Sequence, residues 1–300
     1  MNWDFAHAGE FYSALCALLW AIAIILARKS GEQVSPVPLN FFKGVVGLVL
    51  FLITLPIAGV SYWPDTATLR DFAILAASGA IGIGIADSVF FASLNRLGAG
   101  RSAIVDCLYS PFIIICSYFF LGSKVGFMLL LALALMVVAI LVGTWKPERI
   151  VSEEQRSKLR TGVLLGILSM ALMAVGIVMA KPVLNHSDPW WATTARLSGG
   201  VILLTIQGFS RRHRTESLRC FKPGPLWKLI LPTAVVAAYL AMFFWIAGMT
   251  YAETTVASVL NQTSTIFVLI LATFFLKEPL TVRKTIAILL GFAGGVIAAF

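Results

Sequence analysis

Apolar stretches of 17 to 24 residues recur along the whole chain, separated for the most part by very short polar connections. Each stretch can cross a hydrocarbon core of roughly 30 Å as a helix rising about 1.5 Å per residue. A closed β-barrel is the only other backbone that satisfies its own hydrogen bonds in lipid. It needs strands of about ten residues with alternating polarity, and these runs are too long and too uniformly apolar for that. Composition agrees: 59% of the 300 residues are hydrophobic, 12% are charged and the mean hydropathy is +0.91, whereas soluble domains carry about 25% charged residues. The expected fold class is an all-α membrane protein with ten transmembrane helices, near 11–27, 39–59, 71–94, 100–121, 124–145, 162–184, 189–209, 226–248, 254–275 and 280–300.

Only two connections are long, 146–160 and 210–225, and both are rich in charge. They read as surface segments without chemistry. The remaining connections force consecutive helices to be antiparallel neighbours in one bundle. Residues 1–10 contain Asp4 and Glu10 and no basic stretch before the first apolar run, so that run reads as a retained helix. Cys16, Cys107, Cys116 and Cys220 have no paired spacing, which suggests neither a disulfide framework nor a metal site. No cofactor is expected. The basic residues behind the net charge of +9 sit in the connections between spans, where positive-inside bias accounts for them and no nucleic-acid partner is needed.

The chain repeats itself internally. At a shift of 153, Ala21, Ile24, Ala27, Arg28, Pro36, Lys43 and Gly47 fall on Ala174, Ile177, Ala180, Lys181, Pro189, Arg196 and Gly200. At a shift of 155, Phe119, Phe120 and Leu121 fall on Phe274, Phe275 and Leu276. A repeat of five spans, an odd number, puts the second copy into the membrane from the opposite side, which gives an inverted repeat with its interface near mid-membrane. The expected division is a first five-helix repeat at 8–145, a charged linker at 146–160 and a second repeat at 161–300.

In these features the sequence resembles the EamA family of the drug/metabolite transporter superfamily. The resemblance rests on Leu18-Leu19-Trp20-Ala21, the basic residue early in helices two and seven, and Ser93-Leu94-Asn95-Arg96-Leu97-Gly98-Ala99. It rests also on Leu276-Lys277-Glu278-Pro279-Leu280, followed by Gly291, Gly294 and Gly295. The resemblance implies secondary transport of metabolites, often export, in a cell membrane, the inner membrane if the source is bacterial. It does not name the solute. Outside the intramembrane Lys43 and Arg196, odd-numbered connections hold 18 lysines and arginines and the opposite side holds 3. The positive-inside rule then makes the odd connections cytoplasmic and both termini external, against the cytoplasmic termini usual in the family.

Ionisable groups inside spans are expensive and need a reason. Lys43, Asp87 and Asp106 lie roughly 7, 10 and 9 Å from the same face of the membrane at about 1.5 Å per residue. They could meet as one base and two acids. One reading is a structural ion pair locking helices two, three and four together. The other is a site coupled to protons or another cation, since two carboxyls sharing one base in a low dielectric compete for its charge. In the second copy Met242 and Asn261 replace Asp87 and Asp106. Arg196 then has either Asp188 or Glu253 near the surface as its partner, or is free to attract a carboxylate or phosphate on the solute.

Helix nine carries Ser258, Asn261, Gln262 and Thr265 on one face, and helix four carries Ser102, Asp106, Tyr109, Ser110 and Ser117. Two polar stripes at corresponding positions suit a solute cavity at the repeat interface; interhelical hydrogen bonding is the alternative. Pro111 bends helix four in this reading and frees a carbonyl for the cavity. Gly84, Asp87 and Phe91 on helix three, with Trp20, Tyr239 and Trp245, are candidates for apolar walls or for packing and lipid contact. Gly291 and Gly295 form a small-residue pair, usable within one chain or in a homodimer. The expected function is a secondary active transporter, an exporter of a small metabolite such as an amino acid, working by alternating access with proton coupling. The competing readings are a non-transporting partner subunit or scaffold and, third, a membrane-embedded enzyme. His7, His186 and His213 all fall outside the spans, and no catalytic constellation is seen.

Overall fold

The computed structural model describes residues 8–121, 127–144, 152–251, 260–261, 263–279 and 281–299. Among them every regular element is helical. In chain order these are α1 (Ala8–Ser30), α2 (Pro36–Ile57), α3 (Leu69–Gly79), a π-helical segment (Ala80–Ala86), α4 (Asp87–Leu97), α5 (Ala99–Asp106), α6 (Tyr109–Leu121) and α7 (Phe127–Thr144). There follow α8 (Glu153–Leu184), α9 (Pro189–Gly208), α10 (Arg214–Phe221), α11 (Trp227–Ala234), a second π-helical segment (Val235–Leu240) and α12 (Ala241–Tyr251). The last two are α13 (Ser264–Phe275) and α14 (Val282–Ala299). Among the described residues six helical rods are long and apolar enough to cross a membrane: Ala8–Ser30, Pro36–Ile57, Leu69–Leu97, Ala99–Phe120, Glu153–Leu184 and Trp227–Gly248; α13 is a shorter apolar helix.

Local chemistry starts these helices where the sequence allows it. α2 and α9 both open on a proline at the first helical position, where the missing N–H costs nothing. Asp188 caps α9 by accepting from the N–H groups of Trp190 (2.8 Å) and Trp191 (3.3 Å). α3 opens on a capping box in which Thr68 and Asp71 bond reciprocally. Two connections read as surface segments are partly ordered. Ser152 caps α8, which starts at Glu153 and so takes up much of the 146–160 linker. Within 210–225, α10 buries Ser217 and Cys220 against α2.

The rod Leu69–Leu97 packs on α8 and α9, α2 on α9, α1 on α12, and α7 on α14. Glycine permits the closest of these approaches. A Cβ on Gly79 would overlap the backbone carbonyl of Arg196, and one on Gly199 would overlap the backbone of Ala76. The two π segments sit at matching offsets, since position 80 falls on 235 at the shift of 155. Each faces a repeat-related glycine of the other copy: Gly200 lies against Ile83 and the Gly79 carbonyl, and Gly47 against Ala238. Gly291 is used within the chain, because a Cβ there would come 2.7 Å from Cys107 Sγ.

Gly79→Ala and Gly199→Ala are expected to lower stability by at least the ~1–3 kcal/mol typical of overpacking, because backbone must move. Gly82→Ala, whose Cβ meets nothing nearer than 3.7 Å, is expected to unfold near the parent temperature. Thermal unfolding of the three purified variants in detergent checks this.

Candidate functional site

A cavity of about 140 Å³ lies among α1, the first π segment, α4, α5, α6, α8, α9, α12 and α13. Both copies of the repeat contribute to it. The widened π turn shapes one wall: Gly82 and Asp87, five residues apart, share the cavity face. Carbonyls of that segment are satisfied by side chains from its neighbours. Asn40 Nδ2 donates to Ile83 O (2.8 Å), Ser169 Oγ to Ala86 O (2.9 Å) and Ser88 Oγ to Gly84 O (2.9 Å).

Arg196 on α9 is buried, with 3% of its surface exposed, and lines this cavity. Its Nε donates to Ser78 Oγ at 3.1 Å, and Ser78 Oγ donates onward to the Gly176 carbonyl at 2.6 Å. The guanidinium carbon lies 5.2 Å from the centre of the Trp245 ring, within range for cation–π attraction. Its Nη1 is buried without a hydrogen-bond partner among the described residues. Asp188, one of its expected partners, is occupied in capping α9. Glu253, the other, lies outside the described residues.

Lys43 on α2 donates to Asp87 Oδ2 in a buried ion pair and stands 5.1 Å over the Phe91 ring. Asp87 lines the cavity, so the pair presents its carboxylate there and its ammonium behind. The expected meeting of three groups is corrected by the structure: Asp106 lines the cavity separately, with no ion pair among the described residues. It ends α5, and the chain breaks at Cys107–Leu108 before α6 begins. Pro111 cannot supply the N–H that would bond the Cys107 carbonyl, so the break falls where the sequence places the bend.

Tyr109, Asn261, Thr265 and Trp245 line the same cavity, as do Trp20, Ser110 and Ser264. Both amide atoms of Asn261 are buried without a partner among the described residues. Ser258 and Gln262 lie outside the described residues. Of the candidates for apolar walls, Asp87, Trp20 and Trp245 line the cavity, whereas Gly84, Phe91 and Tyr239 serve packing. Ile83 and Phe90 line the cavity, while Gly84 packs on Leu203, Phe91 receives Lys43, and Tyr239 bonds Thr54 Oγ1 at 2.7 Å. Sequence reasoning missed Ser78, Asn40 and Ser169, whose hydroxyls and amide orient the site. The signal for Ser78 was the glycine-rich run Ser78-Gly79-Ala80-Ile81-Gly82-Ile83-Gly84, which lets neighbouring backbones approach; Asn40 and Ser169 lie outside it and left no such mark. No group of three histidine, cysteine or acidic side chains is placed to hold a metal among the described residues.

The fold and cavity together define a multi-pass helical membrane protein whose chamber, mostly apolar with a few polar and charged groups, is walled by both halves of the chain. The sequence model of the EamA-like transporter family matches residues 7–145 and again residues 160–300. The chain belongs to that family, and so is a membrane transporter of the drug/metabolite transporter superfamily acting on a small-molecule solute. A solved chain described only as the crystal structure of a protein superposes with a TM-score of 0.68 at 14% identity, over 97% of each chain. At that identity it shows a shared fold alone. No curated protein matches the sequence.

Single cysteines at Asn261 or Ser264, in a cysteine-depleted background, are expected to react with a small hydrophilic thiol reagent. A cysteine at Ala272, buried in helix packing on the same helix, is expected to stay unlabelled; equal labelling of all three would remove the distinction between cavity and packing.

Proposed function

We propose that this chain is a secondary active transporter, an exporter of a small metabolite such as an amino acid, working by alternating access with proton coupling. In this reading ten spans form two inverted repeats, at 8–145 and 161–300 with the linker 146–160 between, in a cell membrane with both termini external. One observation carries it: Arg196 Nη1 and the whole Asn261 amide are buried at a cavity shared by both copies and lack partners among the described residues. Leaving such groups unmet costs about 1–3 kcal/mol each. A solute carrying a carboxylate and hydrogen-bonding groups would meet them, the arginine fork binding the carboxylate. A scaffold, the competing reading, gains nothing from leaving them unmet.

Asp106 is the candidate proton carrier, because it reaches the cavity without a cationic partner among the described residues. Lys43 and Asp87 then act together as a pair whose carboxylate faces the same chamber. Gly291 serves packing within the chain, so a homodimer would need another surface.

Comparing metabolites inside and outside cells, with and without the protein, is expected to reveal one solute class and its direction. In proteoliposomes, Asp106→Asn is expected to abolish flux of that solute driven by a pH gradient while leaving its exchange largely intact. Gradient-driven flux equal to the parent's in a well-folded D106N variant would end the coupling claim. Lys43→Ala is expected to lower folded yield instead, since stranding a buried carboxylate costs roughly 3–5 kcal/mol.

A further inference from the structure

At one face of the protein carboxylates of the second copy tie it to the first: Glu216 Oε1 accepts from the Ser35 N–H at 2.7 Å, and Glu278 makes a two-pronged contact nearer the helices that lead to the cavity. Glu278 follows α13 in the second copy and reaches the start of α5 in the first. Its Oε1 accepts from the Ala99 N–H at 2.8 Å, and its Oε2 from the Gly100 N–H at 3.1 Å. Lys284 Nζ on α14 stands 3.3 Å from the same Oε2. Hydrogen bonds from a helix's first N–H groups to an ionised acceptor are of the strong, charge-assisted kind.

The surrounding backbone is built for this contact. Gly98 has φ +78°, and a Cβ there would lie 2.7 Å from Glu278 Oε1. The glycine is required both by its conformation and by the carboxylate beside it. Glu278 is itself fixed, its N–H donating to the Ala272 carbonyl at 3.2 Å.

Both tied helices lead to the cavity. From Gly100 to Asp106, which lines it, is about 9 Å along α5, and from Thr265, which lines it, to Phe275 is about 15 Å along α13. The tie therefore closes the far ends of two helices, one from each copy, that flank the chamber at their near ends. The opposite face has no equivalent in sequence: at the shift of 155, Glu278 falls on Ser123, which has no charge.

We propose that Glu278 is a one-sided latch between the two copies. It holds the cavity shut on the face of the 276–281 connection, and its release from Ala99 and Gly100, with Lys284 keeping its charge company, opens that face. By the charge distribution this face is cytoplasmic. The latch rests on the alternating-access reading given above.

The test uses a single Ser264→Cys reporter, in a cysteine-depleted background, labelled with a membrane-impermeant maleimide in right-side-out and in inside-out vesicles. Adding Glu278→Gln, which keeps the shape but removes the charge, is expected to raise the labelling rate from the latch face by about fivefold and to lower it from the other face. Unchanged rates on both faces would overturn the latch, and so would a rise on both, which signals general loosening. If the glutamine variant lowers folded yield, Glu278→Asp withdraws the carboxylate by one carbon with its charge kept. It is expected to shift the two rates in the same opposed directions, and equal rates would again overturn the proposal. Solute protection of the parent reporter is read separately, so a failed latch leaves the cavity assignment standing, and a failed cavity assignment appears as labelling that solute never slows.

Discussion

Everything at the site depends on how closely the rod Leu69–Leu97 approaches α8 and α9. Glycines at 79, 176, 199 and 200 remove the side chains that would hold these backbones apart. In lipid no hydrophobic drive separates helix from tail, so such close van der Waals contact is what selects one helix pairing over another. The approach has a chemical consequence. It lays Ser78 beside Arg196 and Gly176, so that a hydroxyl of the first copy fixes a guanidinium of the second. It also brings the π segment against α9, turning Gly82 and Asp87 onto the cavity wall.

The two basic residues related by the repeat have diverged in use. Lys43 is neutralised within its own copy by Asp87, and the pair is buried at 2% and 5% exposure. Burying such a pair gives little net stability, but removing either member is costly. Arg196 makes no direct ion pair among the described residues, although Asp87 attracts it from across the cavity, and it is steadied by a hydroxyl and an indole. A buried arginine held by neutral groups keeps its capacity for an anion. The repeated sequence thus carries an asymmetric chemistry, with the fixed charge pair in one copy and a cation without a direct ion pair in the other.

Much of this was legible in the sequence, because bilayer physics leaves few choices. Long apolar runs had to be helices, and a charge inside one had to have a purpose, which singled out Lys43, Asp87, Asp106 and Arg196. The shift of 153 to 155 already paired Gly47 with Gly200 and Lys43 with Arg196. The π segments were not legible, since one extra residue in a turn leaves no mark in an apolar run. Without them the candidate face of the rod Leu69–Leu97 ran through Gly84, Asp87 and Phe91, of which Asp87 lines the cavity together with Gly82, Ile83 and Phe90. Ser78 was missed for a related reason: its role comes from two other rods, α8 and α9, and periodicity within one helix does not report that. Three acidic and basic groups at similar depth looked like one cluster, but depth leaves azimuth undetermined, and Asp106 lies apart from the Lys43–Asp87 pair.

In the proposed function Arg196 anchors the solute at a chamber formed by both copies. Binding to the native state alone raises its unfolding free energy, by about 2.7 kcal/mol at a hundred times the dissociation constant. The direct measurement is the thermal stability of the purified transporter titrated with a panel of small carboxylates, zwitterions and amines, beside a folded Arg196→Ala variant. Carboxylate-bearing compounds are expected to stabilise the parent, and this stabilisation is expected to vanish in the variant. Equal stabilisation of both proteins, or stabilisation of the parent by amines alone, would contradict it.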